Sequence, residues 1–156
     1  MILSPLPNTT NILGQSVKPY ITQGYGLRPE YYKKYGLKGH PGLDFRAKTP
    51  LPVYAPVDGM VEVVDSGSKG YGLHVVITNQ RFRITLAHLS NVEVGSKQVV
   101  TMGEVIGRTG NTGDSSAPHL HLTVQKVNGG IVKDKDNGFG GAQDVAKFII
   151  CWTSTL

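Results

Sequence analysis

Only one cysteine, Cys151, occurs in the 156 residues, and one cysteine excludes an internal disulfide framework. Its apolar setting, Phe148-Ile149-Ile150-Cys151-Trp152, suits a small buried hydrophobe better than a reactive thiol. No apolar run approaches the roughly 20 residues needed to cross a bilayer. Met1 to Thr10 has no basic stretch leading into an apolar one, so no export signal is read there. Acidic residues are the minority: 16 Lys and Arg against 11 Asp and Glu give a net charge of +5. That excess favours a polyanionic partner such as nucleic acid, a membrane surface or a cell wall. Basic residues do not interleave with aromatics as nucleic-acid grooves require. The densest basic stretch, Lys33-Lys34 with Lys38, reads as a solvated loop. The expectation is therefore a protein that engages neither nucleic acid nor membrane.

Convincing helical periodicity is missing too. Present instead are 20 Gly and 9 Pro spread between short apolar runs, the pattern of many turns between short strands. Leu73 to Thr78 and Phe82 to His88 flank Asn79-Gln80-Arg81, a hairpin. Pro52 to Pro56 and Gly59 to Val64 flank a turn at Asp58-Gly59. Tyr20 to Gly26, Gly42 to Phe45, Val99 to Thr109 and His119 to Val127 complete the strands. Turn signals about every 8 to 12 residues predict an all-β fold, an antiparallel two-layer sandwich-like arrangement. The length suits one domain. Residues 1–14 read as an extended lead-in, 15–135 as the core, and 136–156 as a tail with a short helix over Gln143 to Ile150. Residues 28–39 form a polar, tyrosine-rich loop, and a loop that long is usually functional or mobile.

Five histidines occur: His40, His74, His88, His119 and His121. His119 and His121 lie two apart in His119-Leu120-His121-Leu122-Thr123-Val124. On a strand that spacing turns both imidazoles to one face and sends Leu120, Leu122 and Val124 to the core. Catalytic zinc takes three nitrogen or oxygen ligands and leaves a fourth position for water. His40 and Asp44 with one of the paired histidines would meet that count. The other member of the pair, with His88 at a strand end, would be free for proton transfer.

Gly39-His40-Pro41-Gly42-Leu43-Asp44-Phe45, then Pro52 to Gly59, then Ala87-His88-Leu89-Ser90, then Gly110-Asn111-Thr112-Gly113 running into Pro118-His119-Leu120-His121 resemble the lysostaphin and LytM type of peptidoglycan metalloendopeptidase. Order and separations agree over about residues 22–127. The resemblance implies a substrate groove on one sheet face. It also implies zinc, one per chain, on His40, Asp44 and His121, with His88 and His119 as the catalytic histidines that are not ligands. It further implies a monomer whose substrate is peptidoglycan, cut within stem peptides or cross-bridges. Leu86 and Leu122 stand where the family often has aromatics. Tyr35 is the nearest counterpart of a tyrosine that some members place near the metal. His74 is expected to face solvent, and Asn111 to fix a turn.

A wall-cutting domain without an export signal fits a phage lysin, a virion-borne enzyme or a piece of a secreted protein. Two alternatives belong to other classes. A LytM-like module that only binds and activates wall hydrolases is disfavoured because such relatives usually lack ligands that this chain keeps. A sugar-transport phosphocarrier with paired histidines is disfavoured by the His40/Asp44 spacing.

Overall fold

In the computed structural model, residues 1–48, 50–146 and 149–151 are described. Eleven of the strands build the domain: β1 Ile21–Gln23, β2 Leu43–Arg46, β3 Pro52–Tyr54, β4 Gly59–Asp65, β5 Leu73–Thr78, β6 Phe82–Ala87, β7 Leu89–Val92, β8 Val99–Val100, β9 Val105–Thr109, β10 His119–Asn128 and β11 Ile131–Val132. The main sheet runs β8-β4-β5-β6-β10-β2-β1, with β11 paired to the far end of β10. Its pairings are all antiparallel. A second sheet of three strands, β7-β9-β3, is antiparallel as well. The two-layer, all-β reading is borne out.

Local chemistry explains the frame. The β5–β6 hairpin closes because the Asn79 side-chain oxygen accepts from the amides of Arg81 and Phe82, both at 2.9 Å. Asn at such a turn satisfies the backbone where the ladder stops. Side chains alternate along each strand, so one face of the main sheet collects Val75, Ile77, Ile84, Leu86, Leu120, Leu122 and Val124 in the core. Val53, Leu89 and Ile106 of the second sheet belong to the same cluster. The opposite face of the main sheet is polar, and it carries Asp44, Thr85, His121 and Thr123, all buried.

The extended lead-in is seated on the domain: Ile2 and Leu6 are buried in the core, and Ile2–Leu3 pairs in parallel with Ile149–Ile150. That pairing also replaces the helix expected near the C-terminus, as far as the described residues reach. β-branched Ile149 and Ile150 fit a pleated, half-buried surface better than a helix. Within the tyrosine-rich loop, Pro29–Tyr32 forms one turn of α-helix and Lys33–Tyr35 a 3₁₀ turn. Pro29 supplies the fixed φ that a first helical position favours. Among the described residues no helix is long and apolar enough to cross a membrane.

Candidate active site

Strand register assembles the site. On β10, His121 lies directly opposite Asp44 of β2 on one side and Ala87 of β6 on the other. Directly opposed residues share a face, so the carboxylate and the imidazole meet without any loop. His40 arrives from the segment ahead of β2 and completes the group. That segment must pass close over β10, and a Cβ on Gly42 would fall 2.1 Å from the Leu122 carbonyl oxygen. Only glycine allows this approach, which gives the His-Pro-Gly-Leu-Asp run a steric reason.

The three side chains converge on one point. His40 Nε2 lies 2.9 Å from His121 Nδ1 and 3.1 Å from Asp44 Oδ1, and His121 Nδ1 lies 2.8 Å from the same oxygen. All three residues are buried. The Nδ1 of His40 is 3.0 Å from the Gly24 carbonyl oxygen. A carbonyl only accepts, so Nδ1 carries the proton and Nε2 turns a lone pair inward. His121 Nε2 meets the Thr123 hydroxyl at 2.7 Å, and donation there leaves Nδ1 bare as well. The ionised Asp44 adds a third acceptor. Three facing lone pairs repel unless a cation sits among them. Burial lowers the His121 pKa, so a proton is a poor occupant at neutral pH and a metal ion a good one. Tetrahedral zinc with bonds of about 2.0–2.1 Å needs ligand atoms about 3.4 Å apart. The separations found, 2.8 to 3.1 Å, are shorter than that by about half an ångström, which a small outward shift of each side chain makes up, and each histidine has the outer hydrogen bond that metal-bound imidazoles keep.

His88 and His119 stand beside this group, with ring centroids 4.6 Å apart. The His88 Nδ1 donates to the Thr112 carbonyl at 2.8 Å, and the His119 Nδ1 to that of Ala117 at 2.8 Å. Each ring therefore keeps an Nε2 lone pair for the cleft. The Nε2 of His119 reaches to 3.8 Å from Asp44 Oδ1. His88 follows the last residue of β6 with φ at +63°, a left-handed turn that costs about 1–2 kcal/mol in a residue other than glycine. Burial is the main cause that lowers its pKa to about 4, so His88 is neutral at physiological pH. Thr112 is held in turn: its hydroxyl donates to the Leu89 carbonyl at 2.8 Å and accepts from the Leu73 amide at 3.1 Å.

Two aromatics frame the centre, Tyr32 from the tyrosine-rich loop and Tyr71, which the sequence left unremarked. Tyr71 stacks on His121 at 5.2 Å between centroids, and Tyr32 packs against His40 at 5.2 Å. Tyr35 instead gives its hydroxyl to Asp114, where Lys34 also pairs at 2.9 Å, so a strap ties the tyrosine loop to the 110–118 loop. His74 is buried rather than solvent-facing. Its Nδ1 donates to the Gly72 carbonyl at 2.8 Å and its ring lies 5.5 Å from Tyr71, so the polar face of the sheet is roofed where an open face was expected. Asn111 does fix a turn, accepting from the Ser115 hydroxyl at 2.6 Å. A groove of about 680 Å³ runs past the cluster, lined by Gln23, Arg28, Tyr32, Arg46 and His119 among others.

Comparison with known proteins decides the family, because the model of peptidase family M23 matches residues 38–135. The chain belongs to peptidase family M23. Among its M23 relatives, an uncharacterized metalloprotease of Haemophilus influenzae is 39% identical over 94 residues, 60% of this chain and 20% of that protein. The glycyl-glycine endopeptidase ALE-1 of Staphylococcus capitis is 38% identical over 108 residues, 64% of this chain and 28% of that protein. The chain thus spans between a fifth and about three tenths of these two relatives. Among solved structures, the catalytic domain of lysostaphin from Staphylococcus simulans superposes with a TM-score of 0.67 at 28% identity, covering 83% of this chain and 91% of that one. A zinc-containing peptidase from Vibrio cholerae gives 0.63 at 27% identity, covering 81% and 37%. The M23 match takes in the centre whole, from His40 to His121.

Proposed function

We propose that this chain is a zinc metalloendopeptidase that hydrolyses amide bonds in the stem peptides or cross-bridges of peptidoglycan. One zinc per chain is held by His40, Asp44 and His121. The observation that carries the reading is the convergence of three buried lone-pair donors within 3.1 Å of one another. The named activities of relatives support the substrate class: a glycyl-glycine endopeptidase and a peptidoglycan DD-endopeptidase, ShyB of Vibrio cholerae, are both similar to this chain.

Zinc bound by His40, Asp44 and His121 would supply an acidified water and a Lewis acid for the scissile carbonyl. The rest of the work falls to this chain's own groups. His88 and His119 are locked by their carbonyl partners as Nδ1–H tautomers, so each offers a bare Nε2 to the cleft. One accepts the proton of the attacking water, and the pair then delivers it to the amine that leaves. A protonated imidazole at that distance also steadies the oxyanion.

Elemental analysis and lysis of purified cell walls test the proposal together. The wild type should hold about one zinc and release peptide fragments with new amino termini. His40→Ala, Asp44→Ala and His121→Ala should lose both metal and lysis. His119→Ala and His88→Ala should keep the metal while turnover falls about 10²- to 10⁴-fold. A protein that takes up no zinc when zinc is supplied refutes the ligand assignment, and a zinc-loaded one that frees no amine refutes the activity.

A further inference from the structure

Of the lysines and arginines, three pair with a carboxylate among the described residues, most of the others do not, and Arg28 and Arg46 are the two that line the groove. Arg83 lies 3.9 Å from Glu62, Arg108 2.7 Å from Glu93, and Lys34 2.9 Å from Asp114. Neither Arg28 nor Arg46 forms an ion pair with any carboxylate among the described residues, and both line the groove beside the metal-binding cluster.

Their positions follow from the backbone. Arg46 lies two residues beyond Asp44 on β2, so it shares the groove face. Its partner across the ladder is His119, which puts the guanidinium stem beside a histidine assigned to proton transfer. Arg28 comes from the facing wall, the tyrosine loop. Its φ of +54° is unusual for a residue with a side chain, and its guanidinium carbon lies 5.2 Å over the Tyr31 ring. The groove's carboxylates are already committed, Asp44 to the proposed metal cluster with His40 and His121 and Asp114 to Lys34 and Tyr35. The groove therefore holds two uncompensated guanidinium groups and no free anion.

Resting on the endopeptidase reading, we infer that Arg46 and Arg28 form a carboxylate-binding subsite. It selects cross-linked peptides that carry a free carboxylate near the scissile amide over neutral glycine bridges. Guanidinium matches carboxylate in a two-pronged geometry that an ammonium cannot copy. A residue adds about 3.5 Å of extended chain, so a side chain rooted opposite His119 reaches a carboxylate within about two residues of the bond. The carboxylate has two possible origins, a side chain within the cross-link or the end of the peptide.

The test uses the zinc-loaded full chain and a set of synthetic cross-linked peptides. One has both carboxylates free, one is amidated on the side chain, one is amidated at its C-terminus, and one is joined by a glycine bridge. One of the two amidations should lower kcat/KM about tenfold or more, chiefly through KM, and which one identifies the source. Arg46→Gln and Arg28→Gln should each shrink that ratio towards one at unchanged zinc content, and Arg46→Lys should recover only part of it. Equal cleavage of free and amidated peptides by the wild type overturns the subsite alone. So does a ratio that survives in both glutamine variants. Failure of the zinc-loaded wild type to cut any of the four overturns the endopeptidase reading and this inference with it.

Discussion

At the scale of single residues, the site depends on side chains whose neighbours leave them no alternative. His88 is the clearest case. Its amide donates to the Tyr71 carbonyl at 3.0 Å, its Nδ1 donates to Thr112, and its backbone is left-handed. Its pKa of about 4 lies below the ordinary 6.5. Between those values the unfolded chain binds the proton that the folded one refuses. The His88 contribution is therefore complete above about pH 6.5 and is lost as pH falls towards about 4, by up to about 3 kcal/mol. Asparagine tolerates the left-handed backbone, so His88→Asn removes the titration with little added strain. Thermal melts of chelator-treated protein across that window should show a shallower pH slope in His88→Asn than in wild type. Burial lowers His121 in both proteins and leaves the comparison intact. Equal slopes would contradict this account of His88.

At the scale of elements, β10 and two loops do most of the positioning. The loop glycines Gly72 and Gly113 press on each other so closely that a Cβ on either would sit 2.4 Å from a backbone nitrogen of the other. That contact fixes the Thr112 carbonyl under His88. The strap closes the same loops from above, since the Asp114 amide donates to the Gly70 carbonyl at 2.8 Å while its carboxylate takes Tyr35 and Lys34. Those two partners, Tyr35 first, hold the Asp114 carboxyl down at about 2. Lys34 and Asp114 are both well exposed, and solvent and salt screen such a pair so that it adds little to stability. Asp114→Asn should accordingly leave the melting temperature within a few degrees of wild type. Its effect should fall on KM for wall peptides, because the tyrosine loop loses its tie across the cleft. A large melting shift with KM unchanged would make the strap a structural staple instead.

For the molecule as a whole, the core and the proposed metal centre are the two faces of one sheet. Leu122 is fully buried and sits between His121, the proposed ligand, and Thr123, which supports the His121 ring. Leu122→Ala should cost about 2–5 kcal/mol and also weaken zinc binding, because the strand that carries His121 loses its seat. Denaturant unfolding read beside zinc titration checks both effects. Removing zinc from the wild type should lower the melting temperature, and restoring it should raise the melting temperature again with zinc concentration, as mass action requires of an ion bound only by the folded state. The same comparison in His121→Ala should show almost no metal dependence. A melting temperature in that variant that still rose with zinc would place the ion elsewhere.

What the sequence by itself determined rests on short periods. Alternation along His119 to Val124 places two histidines on one face and three aliphatic residues on the other, and a strand's geometry admits no other outcome. The turn at Asn79 and the all-β class follow from equally local patterns, and the resemblance over residues 22–127 named five residues that the fold brings together. Tertiary structure decided the remainder. The antiparallel register that sets Asp44 against His121 depends on how β2 and β10 pair across 77 positions of chain. The tautomers of His88 and His119 depend on the carbonyls of Thr112 and Ala117, and every residue has a carbonyl, so no residue type announces that role. Tyr71 and His74 show the same limit: their burial over the polar face comes from a loop folding back onto the sheet. Nothing local in the extended lead-in places Ile2 in the core; its partner strand, Ile149–Ile150, does. Local pattern reads which way a side chain points, while its partner is chosen by whichever distant segment packs against it.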